Sequence, residues 1–331
     1  MPRIAPKVII FSLFEPASDL PGEQKLFTDR IGFSETYEIP GAMGDLFMNS
    51  DGVGALLLGI GATKPAISLM ALGYDERFDL TETYFLIAGI AGVNPHAGSL
   101  GSVAWAHFAV DGNLAFEIDA REMPEDWPTG IFPLGANEPY EMPYRGEDGV
   151  FLKDEIIELN GKLMNWAYTL TRNEPLQDSE EMRANRALYT DHAAALEAPS
   201  VLQGDVLACE RFWHGKYYTD WAQRWVKLWT EDQGMFVMSS MEDMAALRGL
   251  KALEMQGKVD FSRVMVLRSA SNYCMQPPGK TAIENMTSEE SEEDRYPGYL
   301  PSLENLFRVG SRVVEELVDG WERWEKEVPC F

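Results

Sequence analysis

The sequence has little cysteine, little histidine, little positive charge and no long apolar run. Each shortage removes a class of protein. Cys209, Cys274 and Cys330 are odd in number and widely spaced, which argues against a disulfide framework or a zinc knuckle and suits reduced thiols. The four histidines, His96, His107, His192 and His214, show no helical i, i+4 pair of the kind that grips a metal. No metal and no organic cofactor is therefore expected. Lys and Arg number 28 against 53 Asp and Glu, a formal net charge of −25. Such a surface repels nucleic acid and anionic membranes. It tolerates an uncharged small molecule, but it repels a free phosphate unless a local basic pocket collects it. The longest apolar stretches, 52–61 and 84–93, fall far short of a membrane span. The N-terminus runs into only about seven apolar-rich residues, too few for the core of a signal peptide. The expectation is a cytoplasmic chain with no nucleic-acid or membrane partner.

What is present is ordinary globular material. The 331 residues are 45% hydrophobic and 24% charged, enough for a sizeable core. No linker or internal repeat divides the chain, so a single domain over 1–331 is expected. The acidic run 288–294 reads as a solvated loop. Apolar runs at 7–14, 53–59, 83–89, 236–239 and 263–269 read as strands, and 207–212 as a strand end. Helical spacing marks 64–72, 153–171, 219–230, 241–256 and 303–326. Segments 102–110 and 114–118 suggest a strand pair across Asp111-Gly112-Asn113. Alternating strands and helices predict an α/β fold, three layers (α/β/α) around a central mixed sheet.

In open α/β sheets, ligands sit outside the carboxyl ends of the strands. That rule selects Glu15 and the turns 59–64, 89–95, 239–242 and 269–272. Gly59-Ile-Gly-Ala-Thr-Lys64 lacks the spacing of a Walker loop, and fits a tight turn whose N–H groups face the site. Glu242, read by itself, opens a helix and suits its first turn as a cap. Phe212 lies in a tract with Trp213, Tyr217, Tyr218, Trp221, Trp225 and Trp229, most of which must be core.

Four stretches carry a resemblance: GIGATKPAISLMALG, IAGIAGVNPHAGSLGSVAWA, GDVLACERFWHGKYYTDWAQRW and MSSMEDMAALRGL. They resemble the purine nucleoside permease family. That family carries a transport name but is similar in sequence to purine nucleoside phosphorylases and nucleosidases. The segment 238–242 is the most specific part. The resemblance implies a nucleoside phosphorylase-like fold, a purine nucleoside as ligand and a homo-oligomer. It places the ribose-binding pair on Met241 and Glu242, the base-reading position on Ser271 and Asn272, and the stacking aromatic on Phe212. In the strand-end turns, Gly61, Gly89, Ile90, Ala91 and Gly92 are expected to bind substrate as well. The carboxylate that activates water matches Glu15, with Asp19 as the alternative, and His192 or His214 could touch the 5′-hydroxyl.

One departure bears on the reaction. Phosphorolytic relatives carry an Arg and a Ser or Thr for phosphate where this chain has Ile87 and Ile90. Aliphatic side chains cannot bond phosphate oxygens, and they make burial of a dianion costly. The expected reaction is N-glycosidic hydrolysis, with Glu242 holding the ribose hydroxyls, Asn272 bonding the purine and Glu15 positioning water. Phosphorolysis, or a non-catalytic binding or uptake role, are the alternatives.

Overall fold

The computed structural model describes residues 3–16, 20–143, 155–289 and 296–330. The first half of the chain contributes β1 (Val8–Ser12), α1 (Lys25–Ile31), β2 (Glu35–Tyr37), β3 (Leu46–Met48), β4 (Val53–Leu57), α2 (Thr63–Gly73), β5 (Tyr84–Val93), β6 (Val103–Trp105), β7 (Phe108–Asp111), β8 (Ala115–Glu117), β9 (Ile131–Pro133) and β10 (Ile156–Glu158). The second half adds α3 (Gly161–Thr171), α4 (Glu180–Arg186), α5 (Ala193–Leu196), β11 (Val201–Gln203), β12 (Asp205–Ala208), α6 (Lys216–Trp229), β13 (Phe236–Ser240), α7 (Asp243–Glu254), β14 (Val264–Tyr273), α8 (Ala282–Glu289), α9 (Tyr299–Asp319) and α10 (Trp321–Trp324).

The central strands are apolar on both faces because both faces are covered. In β1, Val8 and Ile10 point into one core with Leu306, Val309 and Val313 of α9. Ile9 and Phe11 point the other way, into a core shared with Leu69 of α2 and Leu250 of α7. This period-two division of a continuous apolar run is what a sandwiched strand requires. β5 repeats it: Tyr84 and Leu86 face the α9 side, Phe85 and Ile87 the other. The result is the expected α/β fold, a mixed sheet between helical layers.

β5 is the axis of that sheet. β1 and β14 flank it in parallel, with Phe11 opposite Ile87 and Leu267 opposite Ala88. Its last residues also pair antiparallel with β13, Met238 opposite Val93 and Ser239 opposite Gly92. The order β10-β7-β12-β13-β5-β1-β4-β3-β2 runs along the sheet, while β14 also joins β6 and β6 joins β11.

Several boundaries differ from the sequence reading. Segments 102–110 and 114–118 do not pair with each other. All of β7 is buried and sits between β10 and β12, whereas half-exposed β8 leaves to pair with β9. The Asp111–Asn113 turn serves a different contact, since Asn113 Oδ1 accepts the backbone N–H of Glu210 at 2.9 Å. The helix expected over 153–171 begins only at Gly161, where Asn160 caps it by accepting from the N–H groups of Lys162 and Leu163. Ile156 and Ile157 belong to β10, and 153–154 lie outside the described residues. The turns expected at 89–95 and 269–272 start later, because β5 continues to Val93 and β14 to Tyr273. The long C-terminal helix begins at Tyr299 and breaks at Gly320. The acidic run 288–294 starts as the end of α8, and its remainder from 290 lies outside the described residues. Among the described residues, no helix is long and apolar enough to cross a membrane.

Candidate functional site

A cavity of about 280 Å³ opens where β5, β13 and β14 end. Glu23, Ile90, Phe212, Met241, Glu242 and Asn272 line it. Its size is at the small end of ligand pockets, and its walls are mostly apolar with a few converging polar groups, as such pockets usually are.

Glu242 follows β13 at the entry to α7, and its carboxylate does not cap that helix. It is 5% exposed and accepts from Arg268 Nη2 at 3.2 Å and from the Met241 N–H at 3.3 Å. Burial raises its pKa, Arg268 opposes the rise and Asp243 adds to it. Arg268 comes from the middle of β14 and is 1% exposed. It donates twice to Asp243, with Nη2 to Oδ1 at 2.5 Å and Nε to Oδ2 at 3.1 Å, and Nη1 donates to the Ile90 carbonyl at 3.0 Å. Burial disfavours its charge, but Asp243 and Glu242 outweigh that and keep the guanidinium charged. Gly89 lies beneath these contacts. A Cβ there would stand 2.4 Å from Arg268 Nη1 and 2.7 Å from Glu23 Oε1, so only glycine leaves room for both.

Glu23 is the principal site residue that sequence reasoning missed. It is 3% exposed, at the end of a segment that folds back on the exit of β1. Its Oε2 accepts the N–H groups of Leu13 at 2.7 Å and Phe14 at 2.9 Å, and its Oε1 accepts that of Ile90 at 2.8 Å. Burial pushes its pKa up to about 7; Arg268 resists that rise, and the nearby Glu242 adds to it. Three amide bonds hold the carboxylate still while leaving Oε1 a free lone pair.

Asn272 and Ser271 both line the cavity although they are neighbours in one strand. A bulge explains this. Ala270 pairs with Ala91 and Asn272 with Gly92, so Ser271 is an extra residue in the β14 ladder, and a bulge of this kind re-aims side chains. Ser271 Oγ donates to Asn272 Oδ1 at 2.9 Å, while Asn272 Nδ2 donates to the Tyr273 carbonyl at 3.2 Å. With the amide so oriented, one N–H of Nδ2 stays available.

Of the residues expected from sequence, Glu242, Asn272, Met241, Phe212, Ser271, Ile90, Ala91 and Gly92 line the cavity. Glu15, Gly61 and Gly89 are not among its lining residues. Glu15 turns away and bonds the backbone N–H groups of Gly22 at 3.0 Å and Gln24 at 3.1 Å. Asp19 lies outside the described residues. At the Gly61 turn the Glu210 carboxylate takes the N–H of Ala62, and of that turn Ile60 lines the cavity. His192 and His214 do not line the cavity either. His214 is packed near Asn285, and burial lowers its pKa to about 4, against the pull of a hydrogen bond to the Tyr273 backbone. Among the described residues, no group of three or more His, Cys, Asp or Glu side chains is placed to hold a metal ion.

Phe212 is half exposed at the cavity mouth, so its ring contributes little to the core. Phe212→Ala is expected to weaken binding of a flat heterocyclic ligand by roughly 10-fold, the usual order for losing one stacking aromatic. Its denaturation midpoint should match wild type. Equilibrium titration with adenine or hypoxanthine beside a urea melt checks both halves, and unchanged affinity would remove Phe212 from the site.

This architecture is shared with proteins of solved structure. It is similar to the 5′-methylthioadenosine/S-adenosylhomocysteine nucleosidase of Neisseria meningitidis, with TM-score 0.53 and 14% identity over 94% of this chain and 99% of that one. It is also similar to the futalosine hydrolase of Helicobacter pylori, with TM-score 0.52 and 13% identity over 94% and 98%. At such identities the likeness is one of fold. By sequence, the chain belongs to the purine nucleoside permease family, whose model matches residues 5–329. It is 32% identical to a probable purine nucleoside permease of Schizosaccharomyces pombe over 80% of this chain and 76% of that protein. It is 30% identical to the purine nucleoside permease of Candida albicans over 80% of this chain and 64% of that protein, just under two thirds of the latter's length.

Proposed function

We propose that this chain hydrolyses the N-glycosidic bond of purine nucleosides, releasing the free base and ribose. The observation that carries the reading is Glu23: a buried carboxylate with a pKa near 7, beside the Glu242–Arg268 pair in an apolar cavity. A general base works best when its pKa lies near the operating pH. Glu23 takes a proton from water, and the water oxygen bonds the anomeric carbon. The bond from that carbon to the purine nitrogen breaks, and its electron pair leaves with the base. The free N–H of Asn272 stabilises the departing purine, which takes its proton from solvent. Glu242 accepts hydrogen bonds from the ribose hydroxyls and places negative charge near the cationic sugar. In this reading Glu23, rather than Glu15, positions water.

Water is preferred to phosphate on grounds of charge. Ile87 is buried in the core, and the N–H of Ile90 is already bonded to Glu23. Arg268 is committed to Asp243, Glu242 and the Ile90 carbonyl. Arg211 lines the cavity, but its guanidinium pairs with Glu117 at 2.9 Å. A phosphate dianion would instead meet Glu23 and Glu242.

The test is incubation with inosine, guanosine and adenosine in phosphate-free buffer, followed by chromatography of base and ribose. Free ribose in equal amount to base is the expected result. Cleavage that begins only when phosphate is added, with ribose 1-phosphate as product, would move the reaction to phosphorolysis. A second reading, a nucleoside-binding component of uptake, is favoured by the names of the relatives. It predicts saturable nucleoside binding with no base released under any condition.

A further inference from the structure

We propose that Glu15 is a positioning residue, whose carboxylate fixes the turn that carries Glu23 into the cavity. The inference rests on the reading of Glu23 as the base. Two carboxylates lock the same pair of segments together reciprocally. The side chain of Glu23 accepts from the backbone at Leu13 and Phe14. The side chain of Glu15 accepts from the backbone at Gly22 and Gln24, the residues either side of Glu23. The Glu23 N–H closes the arrangement by donating to the Phe14 carbonyl at 2.9 Å.

The fit is close. A Cβ on Gly22 would lie 2.5 Å from Glu15 Oε2 and 2.7 Å from its Cα, so the backbone at 22 approaches Glu15 as nearly as a glycine permits. From the other side, Tyr299 at the start of α9 donates to the Pro21 carbonyl at 2.9 Å. The turn is therefore gripped at Pro21, Gly22 and Gln24, and Glu23 is the one side chain between these grips that enters the cavity. Glu23 faces Arg268 of β14 and Glu242 at the entry to α7, with Asp243 behind Arg268. If the turn slides, Glu23 loses its place beside Arg268 and Glu242, which are held by other contacts. A misplacement of about 1 Å at a reacting group can cost about 100-fold in rate.

The role can be separated from plain loop stability. With the grip loosened, water reaches Glu23 and its desolvation falls, so its pKa drops toward the ordinary carboxylate range. Glu15→Ala, Glu15→Gln and Glu23→Gln should be compared by kcat/KM on inosine across pH 5–9, by hypoxanthine titration and by thermal melting. Glu15→Ala is expected to lose at least 10-fold in kcat, to move the acid limb of the profile to lower pH, and to bind hypoxanthine as wild type does. Glu15→Gln, nearly isosteric and able to accept only one of the two amide bonds, should fall between. If Glu23→Gln is inactive while both Glu15 variants keep the wild-type kcat and acid limb, the positioning role is lost and the reading of Glu23 survives, even if melting temperatures drop. If Glu23→Gln turns over normally, the reading of Glu23 is itself wrong.

Discussion

Glu23→Gln is expected to lower kcat/KM for nucleoside cleavage by about 10²- to 10⁴-fold, the usual worth of a general base, while leaving affinity for the free purine close to wild type. The amide cannot take a proton from water, although it keeps the shape of the carboxylate. In the wild type, kcat/KM should fall as pH drops below about 7. The sign follows from the direction of the shift. Burial raises the Glu23 pKa to about 7, so the carboxyl is protonated and idle as a base on the acid side and ionised on the alkaline side. Whatever activity Glu23→Gln retains should lack that acid limb. Rate profiles over pH 5–9 with a parallel hypoxanthine titration measure all of this. A full-strength Glu23→Gln enzyme, or a wild-type limb near pH 4, would transfer the role to another group.

Most of the fold was legible in the sequence because its central strands are buried on both faces. Continuous apolar runs such as those of β1 and β5 have few other destinations in a chain with regular strand–helix alternation. The failures came where a short segment could satisfy either period. Ile156 and Ile157 suit a helix stripe as well as a strand, and only Asn160, bonding the N–H groups of Lys162 and Leu163, shows where the helix begins. The Asp111–Asn113 turn carries hairpin residues, but burial of β7 between β10 and β12 overrode the local preference.

The site divides in the same way. Met241, Glu242, Ser271 and Asn272 were legible because they lie at or near the ends of strands, where topology alone predicts a ligand site. Glu15 satisfied that positional rule as well, yet its carboxylate turns back to the chain. Glu23 could not be found by the rule, since it reaches the cavity only after the chain leaves β1 and returns. Arg268 did leave a signal. It interrupts the apolar run of β14, and a charge inside a central strand has to be met by buried carboxylates. Following that signal would have led to Asp243 and Glu242, and from there to the floor of the cavity.

Asp243→Ala should therefore be among the most damaging single changes in the chain, although Asp243 does not line the cavity. Its carboxylate is wholly buried, accepts the Nε and Nη2 N–H groups of Arg268 and accepts the Ser240 hydroxyl at 2.7 Å. Removing one partner from a buried ion pair usually costs about 3–5 kcal/mol, because the remaining charge stays in low dielectric without its match. The loss here is expected near the low end, ~3 kcal/mol, since Glu242 still faces the guanidinium. That remaining attraction should also damage function. Arg268 would draw the Glu242 carboxylate toward itself and away from ribose hydroxyls, raising KM for nucleosides while free purine binds normally. Its charge would also bear more strongly on Glu23, moving the acid limb to lower pH. Adding Arg268→Met to Asp243→Ala removes the guanidinium but leaves the buried Glu242 carboxylate without its partner, so the double variant should regain neither stability nor activity. Urea unfolding of the three proteins, read beside their nucleoside kinetics, decides the matter. A single Asp243→Ala variant within about 1 kcal/mol of wild type, the size of an ordinary surface pair, would mean that Arg268 is not held as described and that the floor of the cavity is built differently.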